Sequence, residues 1–210
     1  MSWQVRYARE NILKTYQAAS AQQIRGDAIR ITMPDRPDIV AIISAAYTID
    51  FQLAVQYHTD FPDMDFLCGY RKECVWEGGA IRYLENNTIG WGNAATLFSA
   101  IPTGDAKTAV HKGYFFAYRL IRQIRSIANL DREFDRVFTM KLATGRTYRV
   151  GMIMEYEPTA DAIRTFWDRF GPIDIAWNIN PNGHPTQNAI EAGKSLGCEV
   201  MKWDELKALL

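Results

Sequence analysis

The chain predicts an α/β fold in which a mixed sheet holds a central β-hairpin followed by βα units, with helices on both faces. Three observations predict it. Phe134 to Tyr156 alternates apolar and polar residues on both sides of Thr144-Gly145-Arg146, where a glycine supplies the positive φ of a hairpin turn. Asp38 to Ser44 is a short, wholly apolar run of the kind that a strand buried on both faces requires. From Pro158 onward, strand-like and helix-like segments alternate, which implies parallel pairing after the hairpin.

In the hairpin, Phe134, Phe138, Met140, Leu142, Tyr148, Val150, Met152, Met154 and Tyr156 share the face that should meet a core. The other face holds Asp135, Val137, Thr139, Lys141, Arg149, Gly151, Ile153 and Glu155. Folding about Gly145 is expected to bring Asp135 opposite Glu155 to within a residue, with Lys141 and Arg149 nearer the tip.

Composition narrows the classes. With 210 residues, 48% of them hydrophobic, the chain can bury a core as one large domain or two small ones. The 24 basic and 24 acidic side chains cancel, so attraction to nucleic acid or membrane must come from local clustering. No apolar run reaches the roughly 18 residues of a membrane span, and the polar start is unlike a signal peptide. The expectation is a cytoplasmic protein without a membrane partner. Cys68, Cys74 and Cys198 lack zinc-type spacing and read as reduced thiols.

Taken in order, Val5–Ile24 has helical spacing and stops at Gly26. Ala28–Met33 reads as a strand broken by Pro34 and Pro37, Asp38–Ser44 as a strand, Ala45–Tyr57 as a helix and Asp65–Cys68 as a second strand ending at Gly69. Gly69–Asn93 mixes Tyr70, Trp76, Glu77 and Trp91 with other charges and glycines, a composition suited to a pocket wall or to tryptophans that simply pack. A helix from Ala80 and a tight loop at Gly90–Asn93 are expected there. Pro102-Thr103-Gly104-Asp105 marks the boundary between residues 1–104 and 105–210. Gly113–Leu130 reads as one helix bearing Arg119, Arg122 and Arg125 at three-residue spacing, with Lys112 at its start and Tyr114, Phe115 and Tyr118 beside them. That stripe suits phosphates and stacked bases, or a solvated face. Thr159 caps a helix to Phe170, Ile173–Ile179 is a strand, Asn180–Pro185 a loop, Thr186–Leu196 a helix, Cys198–Lys202 a strand and Asp204–Leu210 a final helix. No internal repeat is evident, although both halves use βα units.

Ligands of open α/β sheets collect beyond the carboxyl ends of strands. That rule selects Glu155 with Glu157, then Asn178, Asn180, Asn182, Gly183 and His184, and in the first half Ser44 with Tyr47. Asp135 and Glu155 could hold Mg²⁺ while Lys141 steadies phosphodiester charge, or the same groups could form ordinary cross-strand ion pairs. No phosphate loop or nucleophile elbow occurs.

The order helix, hairpin, helix, strand, helix, strand, helix, with the tail IAWNINPNGHPTQNAIEAGKSLGCEVMKWDELKALL, resembles the Mrr branch of the restriction-endonuclease-like nucleases over residues 113–210. The resemblance implies an Asp on one hairpin strand, matched by Asp135, and Glu-x-Lys or Gln-x-Lys on the next. Glu155-Tyr156-Glu157 lacks that lysine, and Lys141 is the substitute on the opposite strand. The first reading is therefore a nucleic-acid-binding or metal-dependent nucleic-acid-cleaving protein. The second is a nucleotide or small-molecule pocket lined by Tyr70, Trp76, Glu77, Trp91 and Asn180. The third is an interaction module without catalysis.

Overall fold

A computed structural model describes residues 2–210 and divides the chain into two compact units, the first ending at Lys112 and the second spanning Gly113–Leu210. The division falls after the Pro-Thr-Gly-Asp turn, because residues beyond that turn still serve the first unit. The Trp91 amide donates to Ala109 O at 2.9 Å.

The first unit runs α1 (Trp3–Thr15), β1 (Ser20–Arg25), β2 (Ala28–Thr32), β3 (Ile39–Ser44), β4 (Thr48–Ile49), α2 (Phe51–Asp60), β5 (Phe66–Gly69), β6 (Val75–Trp76), α3 (Gly78–Asn86), β7 (Gly90–Gly92) and α4 (Ala94–Ala100). Its sheet has the order β1-β2-β3-β5-β7, antiparallel through β3 and parallel after it, while β4 and β6 pair as a small parallel ribbon. Val5, Ala8 and Ile12 of α1 and Leu97 and Ala100 of α4 fill one face. Ala54 of α2 and Ala80, Ile81 and Leu84 of α3 fill the other.

Expected and observed elements differ where tertiary pairing overrides local periodicity. The first helix ends at Thr15 because Ser20–Arg25 is drawn into antiparallel pairing with β2. The helix expected from Ala45 starts only at Phe51, where the Asp50 carboxylate accepts from the Leu53 amide at 2.7 Å. The expected loop at Gly90 is a buried parallel strand instead. A Cβ on Gly90 would lie 1.9 Å from Ala106 O, so only glycine lets that chain pass.

The second unit runs α5 (Lys112–Ile121), β8 (Ile127–Phe134), β9 (Val137–Leu142), β10 (Thr147–Ile153), α6 (Ala160–Phe170), β11 (Ile175–Asn178), α7 (Gln187–Ser195), β12 (Glu199–Met201) and α8 (Trp203–Leu209). Its sheet order is β12-β11-β10-β9-β8. The helix expected over Gly113–Leu130 stops at Ile121, and its second half is the edge strand of a three-stranded meander. Gly145 takes φ +89° at the β9–β10 turn. Phe138, Met140, Val150 and Met152 pack under α5 and α8, and Ile153 joins Ile163 of α6 and Ala189 and Ala192 of α7. Both faces of the hairpin are covered at its base, and the second face becomes exposed toward the tip at Lys141 and Thr147.

The two units are one fold repeated with a constant spacing of 109 residues. Phe51 and Ala160 open equivalent helices, Gly78 and Gln187 another pair, and the Phe66↔Gly90 register recurs as Ile175↔Glu199. The hydrogen bonds follow. Val40 N donates to Asp65 Oδ2 at 2.7 Å, and Arg149 N to Asp174 Oδ2 at 2.6 Å. Val75 N donates to Tyr47 O at 2.9 Å, and His184 N to Tyr156 O at 2.8 Å. Few side chains coincide, which is why the repeat does not show in the sequence: backbone pairing survives changes that keep only burial and turn positions.

Candidate nucleic-acid interface

Asp135 lies in the two-residue turn between β8 and β9, at the carboxyl end of β10. The register pairs Val137 with Gly151, so the position opposite Asp135 is Ile153, and Glu155 lies past the end of β10. The Asp135 side chain is 3% exposed and is gripped by its neighbour: Arg136 Nε donates to Oδ1 at 3.0 Å and Nη2 to Oδ2 at 2.7 Å. The same guanidinium sits 5.1 Å from the Tyr114 ring centroid. Lys141 pairs with Thr147 at the other end of the sheet, and six residues of extended strand put it roughly 20 Å from Asp135. The Glu155 side chain is exposed, and only its backbone carbonyl is engaged, accepting from Asn178 Nδ2 at 3.0 Å.

Asp135, Glu155 and Lys141 therefore do not converge. Among the described residues, no three acidic, histidine or cysteine side chains are grouped to hold a metal. A cation paired to both oxygens of Asp135 occupies the place where Mg²⁺ would bind. These residues do not fit the metal that the nuclease resemblance implies.

The charges of the hairpin serve another constellation, one that sequence spacing does not show because it spans three strands. Glu133 of β8 accepts from Thr139 Oγ1 of β9 at 2.6 Å and from Arg149 Nε of β10 at 2.8 Å, while Arg149 Nη1 reaches Pro172 O at 2.6 Å. Burial raises the Glu133 pKa, but the bonds from Arg149 and Thr139 and the Arg149 charge outweigh it, and the net shift is downward.

The aromatic residues expected to wall a pocket belong to the first unit's interior. Trp76 and Trp91 are 3% and 0% exposed and pack against each other at 5.3 Å. Glu77 is the residue before α3, and Tyr70 packs on the α1 side of the sheet. Of that group Asn180 borders a cavity of the second unit. His58, which has no evident partner in the sequence, contacts the Tyr83 hydroxyl through Nδ1 at 2.8 Å.

The basic residues remain at the surface. Lys112, Arg119, Arg122 and Arg125 are exposed. Among the described residues none of the three arginines has an acidic partner within ion-pair distance. Arg119 lies in the last turn of α5, and the Arg122 backbone N–H continues that turn by donating to Tyr118 O at 3.1 Å. Arg125 falls in the turn beyond, so the stripe is a helix end and its following turn. Phe115, Tyr118, Arg119 and Arg122 border one shallow depression, and Phe115 and Phe116 are 40% and 62% exposed. Exposed aromatic rings beside unpaired guanidinium groups form a surface that can stack bases and neutralise phosphates.

On the neighbouring side of α5, Phe116, Leu120, Trp177, Asn180, Lys202 and Trp203 border a cavity of about 220 Å³ at the carboxyl ends of β11 and β12. The Asn180–Pro185 loop beside it is held by Gly183 N donating to Asn180 O at 3.0 Å and by Asn180 Nδ2 reaching Met154 O at 3.4 Å. The β10 and β11 loops are thus neighbours, as strand pairing leads one to expect. Compared with family models, curated proteins and solved structures, the chain matches none.

Proposed function

We propose that the second unit binds single-stranded nucleic acid through α5 and the turn after it, and does not cut it. One observation carries the reading: Arg119 and Arg122 are exposed, without acidic partners among the described residues, in a depression shared with Phe115 and Tyr118. An acidic partner would mark such arginines as structural. Exposed phenylalanine rings cost solvation unless something flat covers them. The nuclease resemblance of residues 113–210 motivates reading this unit as a nucleic-acid scaffold. The clamped Asp135 argues for binding on such a scaffold without the chemistry.

Fluorescence anisotropy with labelled DNA and RNA oligonucleotides tests this between about 50 and 200 mM salt. Replacing Arg119 and Arg122 together with Gln is expected to weaken binding about tenfold or more and to flatten the salt dependence by the loss of two phosphate contacts. Incubation with Mg²⁺ or Mn²⁺ should leave the strand intact. Affinity unchanged by the double substitution, or cleavage that Asp135→Ala abolishes, removes the proposal.

A further inference from the structure

The cavity beside α5 is lined by side chains whose counterparts in the first unit differ. Shifted back by 109 residues, Phe116, Leu120, Trp177, Ile179 and Trp203 become Tyr7, Asn11, Cys68, Tyr70 and Ala94. In the first unit the Tyr70 side chain packs onto the core at that place and is hydrogen-bonded to Asn11, with Cys68 beside it.

In the second unit Ile179 and Leu120 replace the Tyr–Asn pair, and no side chain takes the space. Two indoles wall it instead: Trp177 and Trp203 lie 5.3 Å apart at 32°. Leu120 and the exposed Phe116 ring complete an apolar slot. Its rim is polar, with Lys202 Nζ 3.3 Å from His184 Nδ1, and Asp204 and Asn180 nearby. At about 220 Å³ the slot is below the roughly 300 Å³ at which pockets for drug-sized molecules begin. It therefore suits one flat ring system. A flat occupant gains stacking on the indoles, while Lys202 and Asp204 offer a donor and an acceptor to its edge. The Trp177 Nε1–H, sealed behind the wall, has no acceptor among the described residues.

We infer that this slot takes a single nucleobase, splayed out of the strand whose phosphates lie on Arg119 and Arg122. The inference rests on the reading above for the strand, but not for the base. It is tested by saturation-transfer NMR on the full chain with the four nucleoside 5′-monophosphates, with ribose 5-phosphate as the control, alongside the oligonucleotide titration. Saturation of base protons by at least one nucleotide is expected, with none for ribose 5-phosphate. Leu120→Trp, which fills the slot, should weaken nucleotide binding at least tenfold. Phe116→Ala, at a position 62% exposed and so harmless to folding, should weaken it severalfold.

Base signals unchanged in both variants, or absent in the wild type while the oligonucleotide binds through its arginines, overturn the base slot and leave the strand surface standing. Nucleotide binding that Leu120→Trp removes, in a protein with no affinity for oligonucleotides, overturns the strand surface and leaves the base slot.

Discussion

Glu133 and Asp135 lie two positions apart, and their surroundings give them different work. Asp135 spends both oxygens on the adjacent Arg136, whereas Glu133 ties β8 to β9 and β10 through Thr139 and Arg149. Because the Glu133 pKa is held below the ordinary carboxylate range, its contribution to stability is present at neutral pH. It is lost as the pH falls through the folded-state value. Glu133→Gln is expected to destabilise the second unit by about 1 kcal/mol at neutral pH, the side chain being partly exposed. The gap between variant and wild type should narrow in acid. Urea titrations at neutral and acid pH check this, and a gap independent of pH would detach the Glu133 charge from stability. The sequence shows that Lys141, Arg149 and Glu155 line one side of a hairpin. Which of them meet is set by a register in which Asp135 faces Ile153, two residues short of Glu155.

The third strand of each unit is held at its start by one carboxylate. Asp65 takes the Val40 amide and Asp174 takes the Arg149 amide, and each aspartate also joins its own backbone amide to the same partner's carbonyl. This clamp fixes the entry of a parallel strand, which no tight turn can do. The Asp65 side chain is 13% exposed and paired with Lys107 at 3.4 Å, while Asp174 lies at the surface, where water can replace it. Asp65→Ala should therefore cost about 1–3 kcal/mol and Asp174→Ala less than about 1 kcal/mol. Denaturant unfolding of the two variants decides it, and equal costs would show that burial does not govern the clamp. The helix cap at Thr159 stands where its sequence signal puts it, accepting from Ala162 at 3.2 Å, and Thr186, expected inside its helix, caps it instead, accepting from Ala189 at 3.2 Å. The edge strands β1 and β8 give no such signal, because each buries a single residue and has no apolar period to read.

Each unit carries a complete three-layer core, with its first and last helices on one face of a five-stranded sheet and its middle helices on the other. A domain of about 100 residues with its own core can fold alone. A fragment spanning Gly113–Leu210 is expected to show helix and strand signals by circular dichroism and to unfold cooperatively on heating. A fragment without a cooperative transition would mean that the second unit depends on the first. Among the described residues, no helix is long and apolar enough to cross a membrane.

Local chemistry in the chain is enough to specify an α/β fold, the hairpin turning at Gly145, the caps, and the alternating tail of the second unit. Periodicity, turn glycines and capping residues act over a few positions and need no partner to be recognised. The repeat, the edge strands, the burial of Trp76 and Trp91, and the meeting of Glu133 with Arg149 came only with the folded structure. All four are set by which distant segments pair and in what register, and the energy that chooses a register lies in contacts between segments.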